Sequence, residues 1–331
     1  MREGLLELLR CPRCGSEGDF GCAATARDER EIVSGVLVCR GCGHHAQIER
    51  GVVDLLPAPT PRVRREAAGL ARFADVMRAD GWDRDRVLAL PDDPLGYWKE
   101  QRRAIDRLLA RMDTRPGERL LDVGANTCWA SNIFAQRGLE VVAMDIATVE
   151  MQGLHTAEWF FDANGVFFER VLSSMGDPAI ASGCLDYIFC SQVLHHNSRS
   201  ELVRALRQFH RLLRSGGRLL VLGEPLRLLN DLKRDHGADI AQFEGNEHIY
   251  FFAEYRLAAR LAGFRCSVIP PQWPTFGDEP LDAPAGASAL GRAKVRVQER
   301  LRRSSAGRTA LLAKAEVLGP DHNLSMICAK R

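Results

Sequence analysis

Short apolar segments alternate with amphipathic helical segments along residues 118–222, and this alternation restricts the fold more than any other feature of the chain. Strands are predicted at 119–123, 141–146, 166–171, 185–190 and 218–222, with helices at 129–137, 149–162 and 199–214 between them. Such a pattern is typical of a parallel sheet with helices on both faces. The alternation therefore predicts an α/β fold.

Length and composition agree with a globular protein and exclude several other classes. The chain has 331 residues, which corresponds to roughly two domains. The formal net charge is only +2, so no global field favours nucleic acid or an anionic membrane. No apolar run approaches the length of a membrane span, and charges interrupt the opening MREGLLELLR where a signal peptide would be apolar. We therefore expect a cytoplasmic protein without a membrane partner.

Four of the ten cysteines form two Cys-x-x-Cys pairs near the start of the chain, Cys11 with Cys14 and Cys39 with Cys42. Each pair presents two thiolates on one tight turn, and two such turns complete a tetrahedron around Zn²⁺. In a chain without a secretory signal, this spacing indicates metal binding before disulfides. The cysteines therefore predict a structural zinc ribbon, which has no open position for catalysis.

A ligand site is predicted where the first two strands of the alternating region end. Gly124 follows the first strand and allows close approach of a ligand to the backbone, while the next helix presents free N–H groups. Asp145 ends the second strand, where a carboxylate can accept hydrogen bonds from two ribose hydroxyls. Asp122 would repel a pyrophosphate but suits a ligand with a cationic amino-acid end. These residues predict a nucleoside cofactor other than a dinucleotide.

Residues 118–225 resemble the class I S-adenosylmethionine (SAM) methyltransferases. The resemblance rests on LLDVGANTCWAS, VVAMDIA, LDYIFCSQVLHH and LLRSGGRLLVLGEP, and NEHIYFFAEYRLAARLAGF is similar to the segment that precedes strand six in that superfamily. It implies a Rossmann-like sheet of seven strands, mostly parallel with the last antiparallel. The domains would then be a zinc ribbon at 1–57, a linker with helices covering the cofactor at 58–115, and a methyltransferase domain at 116–331.

The resemblance also implies which residues bind SAM. Asp122 and Gly124, with the adjoining Ala125 and Asn126, would lie against the methionine part. Asp145 would hold the ribose. The adenine would contact Ile146, Ser173, Ser174 and Met175, and the methyl-donor centre would face Ser191 and Gln192. Two loop glycines of the family are replaced by Asn126 and Cys128, and a serine replaces the acid that usually faces the adenine amino group.

Three histidines are candidates for removing a proton from a hydroxyl or ammonium acceptor. His195 and His196 follow the fourth strand, and His248 lies in the segment after the fifth. Histidine is the natural base near neutral pH. A structural role for one of the adjacent rings, or a divalent metal held by His196, His248, Glu224 and Glu247, stays an alternative. A carbon or free-amine acceptor would need no base.

A long helical insertion is predicted at about 270–320, before the last strand, and would serve as a lid or a dimerisation element. Residues 290–331 carry ten Lys or Arg and three Asp or Glu. This charge run indicates either a solvated helix face or attraction of an anionic acceptor.

The sequence is compatible with three alternative functions. The first is methylation of a small molecule, a natural product or an anionic metabolite, with oxygen favoured over nitrogen or carbon. The second is methylation of rRNA or tRNA, because the opening segment resembles zinc-ribbon activators of tRNA and protein methyltransferases and the ribbon of rRNA guanine-N1 methyltransferases. The net charge of −2 on residues 1–57 disfavours nucleic acid. The third is a non-catalytic partner subunit, and it rests on the missing glycines.

Overall fold

The computed structural model describes residues 1–56, 58–94, 96–227, 247–269, 286, 288–318 and 323–330. Within them the strands form one sheet of eleven, in the order β1-β2-β3-β4-β7-β6-β5-β8-β9-β11-β10. The strands are β1 (Phe20–Arg27), β2 (Ile32–Cys39), β3 (His45–Glu49), β4 (Val52–Asp54), β5 (Arg119–Val123), β6 (Glu140–Asp145), β7 (Glu169–Leu172), β8 (Leu185–Ser191), β9 (Leu213–Glu224), β10 (Phe264–Val268) and β11 (Leu324–Lys330).

Helices cover the faces of this sheet. They are α1 (Pro61–Ala79), α2 (Arg84–Leu88), α3 (Gly96–Leu109), α4 (Trp129–Gln136), α5 (Ala157–Asn164), α6 (Arg199–Leu212), α7 (Phe252–Leu261), α8 (Ala289–Arg302) and α9 (Ser305–Leu318). Strands β5 to β9 pair in parallel, and β11 lies antiparallel between β9 and β10. The predicted seven-stranded α/β sheet with an antiparallel last strand is confirmed.

Three predicted element boundaries are wrong. Helix α6 ends at Leu212, and β9 begins at the next residue. The Ser-Gly-Gly segment, which was expected to separate the helix from the strand, belongs to β9 at the point where its register against β8 shifts. The helix expected at 149–162 begins only at Ala157, since Met151 has a positive φ of 74° and interrupts it. Strand β7 begins at Glu169, the first residue that pairs with β6.

The ribbon continues the sheet of the rest of the chain. Strand β4 pairs in parallel with β7, so that Val53 lies opposite Val171, and the N–H of Leu55 donates to the carbonyl of Leu172 at 3.0 Å. Apolar ribbon side chains such as Leu9 belong to the same buried cluster as residues of β5, β6 and β7. The predicted boundary residue Pro57 lies outside the described residues, and the division into domains stays a prediction.

A buried ion pair joins the ribbon to β7. Arg170 is fully buried on β7 and donates to the carboxylate of Glu31 in the ribbon, whose side chain is 6% exposed. The Met1 ammonium also contacts Glu31, and Glu158 lies 3.5 Å from Arg170. A buried charge that loses its partner is strongly destabilising, so this pair helps to hold the two parts together.

Replacing Glu31 with glutamine is expected to lower the free energy of unfolding by about 3–5 kcal/mol, because it removes the closer carboxylate from the buried Arg170 guanidinium and leaves the more distant one of Glu158. The matched control is Glu3→Gln, which breaks the exposed pair between Arg27 and Glu3 and should cost less than about 1 kcal/mol. Urea unfolding measures both values. Equal stabilities of the two variants would contradict the assigned role of Glu31.

The remaining sequence predictions concern the insertion before the last strand, the other cysteines and membrane-spanning segments. Two helices, α8 and α9, occupy part of the predicted insertion, of which 270–285, 287 and 319–320 lie outside the described residues. Cys266 and Cys328 lie opposite each other on β10 and β11 and form a disulfide that the sequence did not predict. Within the described ranges, no helix combines the length and apolar character of a membrane span.

Candidate active site

A cavity of about 560 Å³ opens at the carboxyl ends of β5, β6, β7 and β8, beneath α1 and α3. This is the edge of a parallel α/β sheet where ligands bind, and the volume is typical of small-molecule sites. The cavity brings together all eleven residues predicted to bind the cofactor: Asp122, Gly124, Ala125, Asn126, Asp145, Ile146, Ser173, Ser174, Met175, Ser191 and Gln192. Their contacts with SAM stay a prediction.

The loop after β5 keeps the backbone of a glycine-rich turn although two of the family's glycines are absent. Gly124 has a φ of +66°, and an added Cβ would lie 2.5 Å from Cγ2 of Val193. Asn126 and Cys128 have φ values of 46° and 59°, in the left-handed region that glycine usually occupies. Asn126 tolerates it and donates from Nδ2 to Oε1 of Gln152 at 2.8 Å. The substitutions therefore change the side chains of the turn and retain its path.

Asp145 is held rigidly at the end of β6. Its carboxylate accepts hydrogen bonds from the backbone N–H groups of Ile146 at 2.7 Å, Ala147 at 3.0 Å and Asn126 at 2.9 Å. Burial nevertheless raises the pKa of Asp145 to about 6. A carboxylate has about four lone-pair sites, so this one can accept a further hydrogen bond from a ligand hydroxyl.

Asp122 is the second buried carboxyl of the cavity. It accepts a hydrogen bond from the hydroxyl of Ser131 on α4 at 2.6 Å. Burial and the charge of the nearby Asp145 together raise the pKa of Asp122 to about 7, although the hydrogen bond from Ser131 opposes this rise. Two desolvated acids within one cavity favour a cationic ligand, because a bound cation stabilises their ionised forms.

We expect SAM to bind more tightly as the pH rises from about 5 to about 8, and to release protons on binding. Asp122 must ionise to pair with the cationic methionine end, and Asp145 must ionise to accept hydrogen bonds from the ribose hydroxyls. Titration calorimetry at several pH values, in buffers with different ionisation heats, measures both effects. Asp122→Asn should flatten the dependence near pH 7. An affinity that is constant over this range would contradict the expectation.

The structure places His195 and His248 away from the cavity lining. Nδ1 of His195 lies 3.0 Å from the fully buried carboxylate of Glu224, which also accepts the backbone N–H groups of Val193, Leu194 and His195. The N–H of His248 donates to the carbonyl of His195 at 2.8 Å. Both histidines therefore brace the loop after β8, and their assignment as bases stays a prediction without a cavity contact. Among the described residues, no metal-binding group forms around them.

His196 is the predicted histidine that lines the cavity. Its Nδ1 lies 3.2 Å from Oε1 of Glu66 on α1, and the two side chains are 13% and 11% exposed. Burial lowers the pKa of His196 well below its ordinary value, and the charges of His195, Arg62 and His248 lower it as well. The ring is therefore neutral at physiological pH and able to accept a proton.

Helices α1 and α3 add lining residues that the sequence did not identify, among them Arg62, Glu66 and Gln101. Gln101 is 2% exposed, and its Oε1 has no hydrogen-bond partner within the described part of the chain, so a ligand donor would satisfy it. Tyr97 and Trp98 on α3 also line the cavity. Polar residues on the inner face of an amphipathic helix were the available signal for Glu66 and Gln101.

The four predicted zinc ligands converge in the ribbon. Sγ of Cys11 lies 3.7 Å from that of Cys42, and Sγ of Cys14 lies 3.6 Å from that of Cys39. A tetrahedral ion with Zn–S bonds of about 2.3 Å places its sulfurs about 3.8 Å apart. All four sulfurs lie within 4.8 Å of one another, so the cluster fits a structural zinc ion.

Comparisons with known proteins agree with this architecture. Residues 97–268 match a family described as "Methyltransferase domain", and residues 2–51 match one described as "Trm112p-like protein". Malonyl-[acyl-carrier protein] O-methyltransferase of Serratia marcescens is 27% identical over 152 residues, which are 46% of this chain and 54% of the relative. The chain thus spans about half the length of this curated relative.

Two solved structures show similar architecture at low sequence identity. Geranyl diphosphate C-methyltransferase from Streptomyces coelicolor A3(2) has a TM-score of 0.50 at 14% identity, with 83% of this chain and 100% of that chain covered. A complex of the Haloferax volcanii Trm112 methyltransferase activator with a protein named as a methyltransferase has a TM-score of 0.47 at 15% identity, covering 71% of this chain and 93% of that chain. The similarity to the geranyl diphosphate C-methyltransferase supports the fold alone.

Proposed function

The chain belongs to the methyltransferase-domain family and is a SAM-dependent methyltransferase, and on that premise we propose that it methylates a hydroxyl group of a small molecule. The observation that carries the proposal is a neutral, buried histidine, His196, in the lining of the same cavity as Asp122, Gly124 and Asp145. A hydroxyl must lose a proton when it is methylated, and a positioned base supplies that step.

The charges of the lining bear on the kind of acceptor. Among the described lining residues are four carboxyl groups, those of Glu66, Asp80, Asp122 and Asp145, whereas the basic side chain in that set is Arg62. The described residues of the basic stretch 290–331 do not line the cavity. The lining therefore favours a neutral group at the reacting end over an anionic one, which was one of the alternatives from the sequence. The Serratia relative is named for O-methyl transfer to a malonyl group, which supports oxygen as the acceptor atom but involves a carboxylate and not a hydroxyl.

SAM supplies an electrophilic methyl group on a sulfonium centre. Asp145 would hold the ribose, and Asp122 would compensate the positive charge of the methionine end. A side chain at Gly124 would collide with Val193, so the glycine allows the loop after β8 to pack closely against the turn after β5. His196 would accept the proton of the acceptor hydroxyl as its oxygen attacks. Holding the two reactants in line provides a large part of the rate enhancement.

The test is transfer of a radiolabelled methyl group from SAM, by the full chain, to each of three acceptor sets: a library of small hydroxyl compounds, malonyl-acyl carrier protein, and bulk tRNA with rRNA. We expect labelling of a small hydroxyl compound. His196→Asn should reduce turnover by about 10²–10⁴-fold and leave the binding of S-adenosylhomocysteine unchanged.

Other outcomes overturn parts of the proposal. Labelling of RNA alone would favour the nucleic-acid function, and failure of the chain to bind SAM would favour the non-catalytic subunit. Full turnover by His196→Asn would show that the acceptor needs no base from this histidine, as expected for a carbon, free-amine or carboxylate acceptor.

A further inference from the structure

The short contact between Glu66 and His196 joins two parts of the molecule that the sequence keeps far apart. Glu66 lies on α1, which precedes the whole α/β sheet, and His196 lies in the loop after β8. We propose that Glu66 is a positioning residue that holds the His196 ring by Nδ1 and leaves Nε2 to act as the base. This inference rests on the proposed function and adds a residue to its machinery.

The placement of α1 is set by a second set of contacts one helical turn before Glu66. Arg62 donates to the carboxylate of Glu201 on α6 and to the backbone carbonyl of His196. Glu201 also accepts the backbone N–H of Ser198 at 2.9 Å. Residues four apart lie on the same face of a helix, so this anchor directs Glu66 toward the His196 ring.

The charges around His196 show why an acid is needed there. The His195 ring lies beside the His196 ring at a tilt of 34°, with ring centroids 4.4 Å apart. Arg62 on α1 and His248 in the segment before α7 are close enough for their charges to act on the ring. Burial has the largest effect in disfavouring a positive charge on His196, and the charges of these three residues also disfavour it. Glu66 is the acid in contact with His196 among the ion pairs of the described residues. It would stabilise the imidazolium that forms when the proton arrives.

The proposed step balances. The acceptor oxygen forms a bond to the methyl carbon, the carbon–sulfur bond breaks with its electron pair remaining on sulfur, and the acceptor proton moves to Nε2 of His196. The proton on Nδ1 stays with His196, where Oε1 of Glu66 lies 3.2 Å from that nitrogen. Because a carboxylate beside one ring nitrogen favours the tautomer that carries the proton there, removing Glu66 should change which nitrogen carries the proton before any chemistry takes place.

The experiment is nitrogen NMR of the full chain with ¹⁵N-labelled histidine, in complex with S-adenosylhomocysteine. The His196 signals are assigned by their loss in His196→Asn. We expect the Nδ1–H tautomer in the wild type and a shift toward Nε2–H in Glu66→Leu. Glu66→Gln, whose amide oxygen can still accept, should keep the tautomer and lower the pKa of His196 by about 1 unit. Asp80→Asn, which removes another carboxyl from the cavity lining, is the matched control and should change neither value.

The result that overturns the inference is an Nε2–H tautomer in the wild type, or a tautomer and pKa that are the same in the wild type and both Glu66 variants. If Glu66→Leu does not fold, the tautomer of His196 in the wild type and its tautomer and pKa in Glu66→Gln still test the inference. Failure of the proposed function is distinguishable, because it appears as absent methyl transfer or absent calorimetric binding of S-adenosylhomocysteine, whichever tautomer His196 adopts.

Discussion

Replacing Asp145 with asparagine is expected to weaken the binding of SAM by about 100-fold or more. Hydrogen bonds from ribose hydroxyls to a carboxylate contribute about 1.5–3 kcal/mol each, and the amide offers one oxygen without charge. Asparagine is preferred to alanine because its amide oxygen can still accept the backbone N–H groups of Ile146 and Ala147, which both donate to Oδ1 of Asp145 and which alanine would leave unsatisfied. Titration calorimetry with SAM measures the change.

The control for this prediction is Asp80→Asn, which removes an exposed carboxyl at the end of α1 that also lines the cavity. It should leave the affinity within a few-fold of the wild-type value, and circular dichroism should show the same fold for both variants. Wild-type affinity in Asp145→Asn would mean that this carboxylate does not hold the ribose, and the nucleoside assignment of the cavity would be lost with it.

Removing the zinc site is expected to destabilise the whole chain and not only its first fifty residues. Zinc binding contributes about 10–16 kcal/mol to the folding of small zinc modules. Strand β4 of the ribbon pairs with β7, and ribbon side chains share a core with β5 and β6. The double variant Cys39→Ser, Cys42→Ser should therefore unfold in one transition at a temperature lower by roughly 10 °C or more.

Calorimetric unfolding tests this prediction, and hydrogen exchange in β7 shows whether the edge of the sheet opens when the ribbon is lost. Cys22→Ser is the matched control, because Cys22 is a cysteine of the same ribbon on β1 outside the zinc cluster. It should shift the transition only slightly. Two separate transitions, with the second at the wild-type temperature, would show that the ribbon folds independently of the sheet.

The candidate site divides into a part that could be predicted and a part that could not. Gly124, Asp122 and Asp145 lie within about twenty-five residues of one another, and the rule that parallel strands end at one edge places them together. Glu66 and Gln101 reach the same cavity from helices that precede the sheet. Their contribution depends on how α1 and α3 pack over the strands, and a pattern of apolar spacing does not specify which distant residues they will face.

The three histidines also show that the sequence could not specify the surroundings of individual side chains. Their position after β8 or before α7 predicted that all three would lie near the cavity, and it did not distinguish their environments. His195 contacts Glu224 at the end of β9, whereas the adjacent His196 contacts Glu66 and lines the cavity. The two rings lie side by side, yet each contacts a different buried acid, so the partner of each ring is decided by the backbone path and by the elements that pack around it.

The chain alone determined the α/β class, the succession of strands and helices along residues 118–222, the cysteines of the metal cluster and the residues that line the cavity after β5 and β6. These depend on local spacing: the period of apolar residues, the separation within each Cys-x-x-Cys pair, and the distance from a strand to the next turn. Only the tertiary structure decided that β4 would pair with β7, that Arg170 would be buried against Glu31, and that Glu66 would meet His196. Each of these joins residues more than a hundred positions apart, and such contacts depend on packing of the whole sheet.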